Sequence, residues 1–270
     1  YLVANNVLEN DESARVLRSL DGEYELGTHL HGEFIEPQKK VFDYGGAKAW
    51  DNQCQYPPQI EYEKMKRLTD LFKERFGYAP LSFRAGRFSA GNNTITVLER
   101  LGYKVDASVT PHVAWVDQGR SLDFRDAPEQ PYFPDRSNFL KQGSSPVLEV
   151  PLSIKAGPLR RLGGLRAAER VYAKGRLGRL FGAHWLRPTV SDTNSLTRII
   201  DHFARKYGRR PLVVHNLMFH NVEVCVGASP YTGREEDCQR YLARIEAVLQ
   251  HCRARHIGFA TLSEVAALFG

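Results

Sequence analysis

The sequence contains no long hydrophobic run, no internal repeat and no low-complexity segment. No stretch approaches the roughly 18 consecutive apolar residues that a membrane-spanning helix needs. Hydrophobic residues nevertheless make up 42% of the 270 residues, which is ample for a buried core. These features favour a globular protein over a membrane-embedded one, and we expect it in the cytoplasm.

Cysteine is scarce, and its four copies follow no regular spacing. Cys54, Cys225, Cys238 and Cys252 include no Cys-x-x-Cys pair. We therefore predict free thiols, as in a protein of a reducing compartment. A disulfide between Cys238 and Cys252 is the alternative.

Positive charge is concentrated in one segment of the chain. The net charge is +6, and residues 155–187 carry nine Lys or Arg against a single acid, Glu169. The segment is either a solvated basic insertion or a surface for peripheral contact with a membrane or a polyanion. Aromatic residues do not alternate with the basic ones as in a single-strand nucleic-acid platform, so we predict no nucleic-acid partner.

Short apolar runs alternate with amphipathic segments along the chain. The predicted strands are YLVANNV, YELGTHLH, LSFRAG, YKVDASV, VLEVPLS, PLVVHNLMFH and GFATLSE. The predicted helices are ESARVLRSL, IEYEKMKRLTDLFKERFG, NTITVLERLG, SLTRIIDHFARKYG, DCQRYLARIEAVLQHCRARH and EVAALF. This alternation predicts parallel βα units in a single α/β domain over 1–270, with a number of units close to that of a barrel. In such folds, chemistry gathers at the carboxyl ends of the strands.

Two histidines and a glutamate end the predicted strand YELGTHLHGE. Because side chains of a strand alternate between its faces, His29, His31 and Glu33 are expected to share one side. Zn²⁺ binds neutral imidazoles at about 2.0–2.1 Å, and oxygen ligands complete its shell. His29 and His31 are therefore candidate metal ligands. In the competing interpretation, one histidine is a ligand or a core residue and the other is simply exposed.

Charged residues follow two further predicted strands. Arg84 and Arg87 lie in or after LSFRAG, in a Gly-rich loop where arginine can orient a carboxylate or bind a ligand oxygen. The alternative for each arginine is a surface salt bridge. This alternative is weaker for Arg84, because Arg84 lies in the strand. Asp106, in YKVDASVTP, is expected to end a strand and could hold such an arginine.

The two histidines of PLVVHNLMFH fall on opposite faces of that predicted strand. His220 lies at its carboxyl end and is interpreted as the functional histidine, whereas His215 is interpreted as a packed or hydrogen-bonded one. Glu223 either orients His220 or begins the next loop. Four strand ends that each carry a polar or ionisable group point to an active site.

Four segments resemble, in order, the polysaccharide deacetylase family, the chitooligosaccharide-deacetylase-like domain of carbohydrate esterase family 4. They are EYELGTHLHGE, FRAGRFSAGNNTITVLERLGYKVDASVTP, VLEVPLS and VVHNLMFHNVE. The resemblance covers nearly the whole chain and is closest to a bacterial branch with a His-x-His signature that acts in surface-polysaccharide biosynthesis. It implies an irregular (β/α)7 barrel and metal-dependent hydrolysis of an N-acetyl, sometimes O-acetyl, group from a carbohydrate.

The resemblance implies a metal site at His29, with zinc as the expected ion. The family's usual second histidine comes four residues later, where this chain has Glu33, so either His31 or Glu33 would serve. The family's first motif, an aspartate pair or Asp-x-Glu that supplies a base and a ligand, is not matched. Since YLVANNV resembles the second strand, we expect that motif upstream of Tyr1.

The resemblance also implies catalytic roles. Arg84 matches the arginine that holds the catalytic base, Asp106 matches the acid of the fourth motif, and His220 matches the general acid that protonates the departing amine. Asp106 could also hold the tautomer of that histidine. Three residues are assigned to substrate binding or to support of these groups: Glu33, Arg87 and Glu223.

Two alternatives to a carbohydrate deacetylase stay open at this point. Without the first-motif aspartate, the chain would be a degenerate barrel that binds glycans and does not cleave them. The other alternative is an amidase that acts on a non-sugar C–N bond.

Overall fold

The computed structural model of the chain describes four stretches: residues 1–39, 51–117, 120–158 and 182–270. The chain divides into two compact units. Unit 1 comprises residues 1–109, 114–151 and 260–270. Unit 2 comprises residues 110–113 and 152–259.

Unit 1 is built on a parallel β-sheet. Its described strands are β1 Leu2–Ala4, β2 Gly27–Leu30, β3 Ser82–Ala85, β4 Val105–Asp106, β5 Ala114–Asp117, β6 Arg120–Asp123 and β7 Leu148–Glu149. Five of them form one sheet in the order β1-β2-β3-β4-β7, while β5 and β6 form a separate antiparallel pair. All neighbours in the five-stranded sheet are parallel, so the carboxyl ends of the strands lie at the same end of the sheet, which is called the carboxyl edge below.

The α-helices of the described stretches are α1 Asn5–Leu8, α2 Asp11–Arg18, α3 Pro58–Phe76, α4 Asn92–Leu101, α5 Thr193–Tyr207, α6 Glu235–Ala254 and α7 Leu262–Phe269. Several of these helices are capped at their N-termini by a side chain, because the first backbone N–H groups of a helix lack partners within the helix. Asn10 accepts from the Ser13 N–H at 2.8 Å before α2, and Asp192 has the same role before α5. Gly77 and Gly102 end α3 and α4 in the left-handed conformation, with φ of 80° and 85°.

The core of unit 1 lies between the sheet and the helices α3 and α4. Leu30 and Phe83 from the strands, Met65 and Leu68 from α3, and Leu98 from α4 are buried in one apolar cluster. Burying each such side chain stabilises the fold by about 1.5–3 kcal/mol. The core therefore fixes the strands whose carboxyl ends carry the charged residues.

The last helix, α7, belongs to unit 1 although it ends the chain. The Ser263 N–H donates to Glu25 Oε2 at 2.9 Å, and Val265 is buried. Thr261 caps the helix by accepting from the Glu264 N–H. Unit 1 is therefore assembled from both ends of the sequence.

Unit 2 is held together by α5 packed on α6. Ile199, Ile200 and Phe203 of α5 share an apolar cluster with Val248 and Cys252 of α6. Its described strands, β8 Ile154–Ala156 and β9 Ala183–Trp185, pair antiparallel. The predicted basic insertion at 155–187 lies mostly outside the described residues, which omit 159–181. Among the described helices, none has both the length and the apolar composition needed to cross a membrane.

The predicted α/β class with a parallel sheet is confirmed, and each predicted helix corresponds to a helix of the structure. Two predicted strands are wrong. The segment 211–220 forms no strand and instead makes isolated hydrogen bonds, such as the mutual pair between Ser153 and Asn216. GFATLSE contains no strand because Thr261 serves as a helix cap. YLVANNV is a strand only as far as Ala4, after which α1 begins.

The closed barrel stays a prediction. In the described stretches, the parallel sheet is open, with β1 and β7 at its edges, and no closed sheet is found.

All four cysteines are free thiols, so that prediction is confirmed. Cys238 and Cys252 lie on the same helix, α6, about four turns and roughly 21 Å apart along its axis. A disulfide needs Cα atoms within about 7 Å, so the alternative pairing cannot form on this helix.

Candidate functional site

The ionisable residues that the sequence singles out in unit 1 lie at or after the carboxyl ends of neighbouring strands. His29 on β2 is the register partner of Arg84 on β3, and Asp106 on β4 is the register partner of Glu149 on β7. Parallel sheets of α/β proteins bind ligands at this edge. The edge therefore carries the candidate site of unit 1.

The rings of His29 and His31 are neighbours. Their centroids are 4.8 Å apart and their planes are nearly perpendicular. Nδ1 of His29 lies 2.9 Å from the carbonyl oxygen of Arg84. Because a carbonyl only accepts, this nitrogen carries the proton and Nε2 is the nitrogen with a lone pair. Histidines that bind metals are commonly oriented by such a bond.

Glu33 is buried directly beside His31, in the 3₁₀ turn Gly32–Phe34, with only 1% of its side chain exposed. Arg87 Nη1 lies 2.5 Å from Glu33 Oε1, and His31 Nδ1 lies 3.6 Å from the same oxygen. Burial acts to raise the pKa of Glu33, but His31 and Arg87 outweigh it and hold the pKa at about 2. Its other oxygen, Oε2, has no hydrogen-bond partner in the described stretches.

Arg87 reaches Glu33 from an unusual backbone conformation. Arg87 and Phe88 have φ of 52° and 54°, in the left-handed region that non-glycine residues seldom adopt. Arg87 Nη1 also donates to the carbonyl oxygen of Asp51 at 2.9 Å. Such backbone strain clusters at functional sites, and here it accompanies an arginine bound to a buried carboxylate.

A buried lysine holds the loop that carries Glu33. Lys64 of α3 is fully buried, and its ammonium donates to three carbonyl oxygens, those of Gly32, Ile35 and Pro37. Burial lowers the pKa of Lys64 to about 8, against the opposing charges of Glu36 and Glu33. The ammonium also lies 4.8 Å from the centre of the Tyr56 ring.

Arg84 and Asp106 lie on adjacent strands, as the sequence leads one to expect. Arg84 Nε donates to the carbonyl oxygen of Ala107 at 2.9 Å. Burial lowers the pKa of Arg84 to about 10, while the charges of Asp106 and Glu149 act in the opposite sense. Arg84 is therefore fixed by its hydrogen bond to Ala107 and interacts with two acids.

His220 belongs to unit 2, where its neighbour is Glu223. Nδ1 of His220 lies 3.5 Å from Glu223 Oε1, and 53% of the histidine side chain is exposed. The His220 N–H also donates to Glu223 Oε2 at 3.2 Å. Within its own unit, His220 thus has Glu223 beside it, the residue that the sequence offered as one that orients it. The role of Asp106 toward this histidine stays a prediction.

Glu223 is a buried carboxylate with its oxygens satisfied. It accepts from three side chains at 2.7–2.8 Å: Arg187, Thr189 and Tyr241. Burial acts to raise its pKa, but these donors together hold the pKa at about 2. Glu223 is therefore ionised at neutral pH and ties α6 to the turn that follows His220.

A metal ion would find part of a ligand set in unit 1. His29 and His31 supply the nitrogen donors that Zn²⁺ binds. Glu33, whose Oε2 has no partner in the described stretches, lies beside His31. In the described part of the chain, however, no group of three or more His, Cys, Asp or Glu side chains is arranged to hold a metal. The donor types fit zinc, whereas their number falls short of the three or four that such sites use. The metal-ligand roles stay predictions.

Two charged residues of this edge carried no prediction from the sequence. Lys64 and Glu149 are both fully buried. Lys64 stands one residue before the buried Met65 on the apolar face of α3, and Glu149 interrupts the apolar run VLEV. A charge at a position that the periodicity assigns to the core is the pattern that could have identified both.

Comparisons with known proteins show similarity to a protein with a deacetylase-like name and to a solved allantoinase structure. No protein-family model matches the chain. Over 135 residues the chain is 29% identical to peptidoglycan deacetylase-like protein FGM2 of Gibberella zeae, a match that covers 46% of this chain. The chain spans 38% of that relative's length. Among solved structures, it is similar to Puue allantoinase, with a TM-score of 0.43, 14% identity and coverage of 93% of this chain and 65% of that one.

Proposed function

We propose that this chain is a polysaccharide deacetylase that hydrolyses an acetyl group, most simply an N-acetyl group, from a carbohydrate. The observation that carries the proposal is the pair of adjacent imidazoles, His29 and His31, at the carboxyl edge of the parallel sheet. The sequence match to a protein named peptidoglycan deacetylase-like supports it. A role in surface-polysaccharide synthesis is part of the proposal.

In this proposal, each residue of the edge has a physical task. His29, fixed by the Arg84 carbonyl, and His31 would hold a divalent ion, which would supply Lewis-acid polarisation of the acetyl carbonyl. Glu33 balances the charge beside them and is itself fixed by Arg87. Arg84 and Asp106 form the neighbouring charged pair. The general-acid role of His220 stays a prediction of the family resemblance.

The proposal is tested by measuring acetate release from N-acetylglucosamine oligomers and from peptidoglycan, with zinc content determined on the same samples. We expect His29→Ala and His31→Ala to lose bound zinc and to lower acetate release by roughly 100-fold or more. His256→Asn is the matched control, since His256 is exposed, and asparagine tolerates its φ of 54°. It should keep both properties.

A second candidate function is glycan binding without cleavage. It is favoured by the absence, in the described stretches, of a complete set of metal ligands. Under this candidate, the full-length protein binds the same oligomers and releases no acetate with zinc present. That result would overturn the deacetylase proposal.

A further inference from the structure

Two buried acids face each other on neighbouring strands of unit 1. Asp106 and Glu149 are register partners in the parallel strands β4 and β7, so their side chains leave the same face of the sheet from positions about 5 Å apart. Neither is exposed at all. Two negative charges this close in a buried place repel strongly, and such pairs usually retain a proton.

Each acid has one satisfied oxygen and one without a partner. The Ser108 hydroxyl donates to Asp106 Oδ1 at 2.5 Å, and the Val109 N–H donates to Glu149 Oε1 at 3.0 Å. Asp106 Oδ2 and Glu149 Oε2 are buried and find no donor among the described groups. Since buried polar atoms are rarely left unpaired, a proton on one of these oxygens would provide the donor that the other lacks.

The charges around the pair also indicate that the two carboxyl groups hold one proton. Among the described residues, Arg84 on β3, the strand next to β4, is a cation that interacts with both acids. Tyr132 exchanges backbone hydrogen bonds with Glu149, but its hydroxyl donates to the carbonyl oxygen of Phe139 at 2.8 Å. One arginine against two carboxyl groups is neutral when the carboxyl groups hold one proton between them.

The titration of the two acids identifies the member that keeps the proton. Burial raises the pKa of Glu149, and the charge of Asp106 raises it further. Burial also raises the pKa of Asp106, where the Ser108 hydroxyl and Arg84 act in the opposite sense. Glu149 is therefore the protonated member at neutral pH, and Asp106 is the ionised one.

We propose that Asp106 and Glu149 share one proton between Oδ2 and Oε2, and that Glu149 is a positioning residue that keeps a single negative charge against Arg84. Glu149 donates, Asp106 accepts, and Arg84 meets an acid fixed in place by this bond and by Ser108. The inference concerns the protein without metal or substrate, so it does not depend on the proposed function.

Infrared spectroscopy of the full chain at neutral pH tests the shared proton directly. We expect the wild type to show the carbonyl stretch of a buried protonated carboxyl group, and the wild type minus Glu149→Gln difference spectrum to contain it. The difference is needed because Glu61 is another buried acid whose pKa burial raises. Asp123→Asn, which breaks an exposed ion pair with Arg125, is the control and should leave the band intact.

Stability measurements separate a positioning role from simple packing. Glutamine can donate to Asp106 as the protonated acid does, so Glu149→Gln should keep the neutral-pH unfolding midpoint of the wild type, whereas Glu149→Ala should lower it. The pKa values of Asp106 and Glu149 are higher in the folded protein than in the unfolded chain. The wild type therefore loses stability as pH rises from the unfolded pKa values toward the folded ones. Glu149→Gln should lose less over that interval.

Two results would overturn the proposal. One is a difference spectrum without the carboxyl band, which would mean that Glu149 is ionised. The other is a Glu149→Gln variant that is as unstable as Glu149→Ala, which would mean that the side chain contributes only its packing. If Glu149→Ala does not fold, the spectrum of Glu149→Gln still decides the question.

Discussion

At the scale of single residues, the site depends on buried charges that are bound by neutral groups. Lys64 is the clearest case, because its ammonium donates to three backbone carbonyl oxygens in the described stretches. A charged group that is hydrogen-bonded in this way is costly to remove, since its partners stay buried and unsatisfied. The position of Glu33 thus depends on a lysine that binds the backbone of the loop around it.

We predict that Lys64→Met lowers the free energy of unfolding by roughly 2 to 3 kcal/mol, because carbonyl oxygens in the loop 32–37 lose their donor. Chemical denaturation measures the change. Lys66→Met is the control: Lys66 lies on the same helix and pairs with Asp70 at the surface. It should change stability by no more than about 0.5 kcal/mol. Equal losses in the two variants would contradict the prediction.

The sequence predicted the candidate residues better than their partners. His29, His31, Arg84 and Asp106 follow from strand ends and from the family resemblance. Their partners depend on which strands become neighbours, and a single sequence does not state this. Glu149 meets Asp106 only because β7 pairs with β4, across more than 40 residues of intervening chain.

At the scale of elements, the contact between the end of β2 and the turn after β3 determines how close the residues on these two strands approach each other. Gly86 follows β3, and a Cβ atom at this position would collide with the carbonyl oxygen of Leu30 and crowd His31 Nδ1. The turn after β3 therefore lies against the end of β2. Only a residue without a side chain permits this approach.

We predict that Gly86→Ala costs about 1–3 kcal/mol of stability, the range typical of an overpacked site, because backbone must move to admit the methyl group. Urea denaturation measures the loss. Gly233→Ala is a suitable control, since a Cβ atom there would have no neighbour within 4 Å. A Gly86→Ala variant as stable as this control would show that the two strands separate at little cost.

Helices were predictable from the sequence and strand ends were less so. The apolar period of α3, together with Gly77 at its end, is a local property that the fold preserves. The run 211–220 is also apolar, yet it forms no strand. Strand formation requires a neighbour, so apolar alternation alone was insufficient there.

At the scale of the whole molecule, we expect low pH to destabilise the protein, because a few carboxylates that are ionised in the folded state become protonated. Glu223 in unit 2 has its pKa lowered from 4.5 to about 2. A carboxylate with a lowered folded pKa stabilises the protein above its unfolded pKa, and this stabilisation is lost as pH falls toward the folded pKa. The net charge of +6 adds repulsion between basic groups once the acids are protonated.

We predict that stability falls as pH drops from about 4.5 to about 2, and that Glu223→Gln loses less over this interval because it has no proton to gain. At neutral pH the variant should be less stable by roughly 2 kcal/mol. Unfolding midpoints across a pH series measure both effects. Glu246→Gln, an exposed position on α6, should follow the wild type. Parallel pH curves for Glu223→Gln and the wild type would contradict the prediction.

The α/β class was predictable because strands and helices alternate along the whole chain. The closed barrel stays a prediction, because closure depends on pairing between the first and last strands, which the alternation does not determine. The division into two compact units also leaves no mark in composition, since it follows from which helices pack on which core.

The membership of α7 in unit 1 has a consequence for how the protein is made. Residues 152–259 lie in sequence inside unit 1, and the bond between Ser263 and Glu25 joins positions at opposite ends of the chain. On the ribosome, the N-terminal strands emerge long before their final helix is synthesised. Unit 2, whose helices α5 and α6 are neighbours in sequence, can complete its core first. Unit 1, whose strands precede unit 2 in the chain, can therefore complete its packing only after α7 has been synthesised.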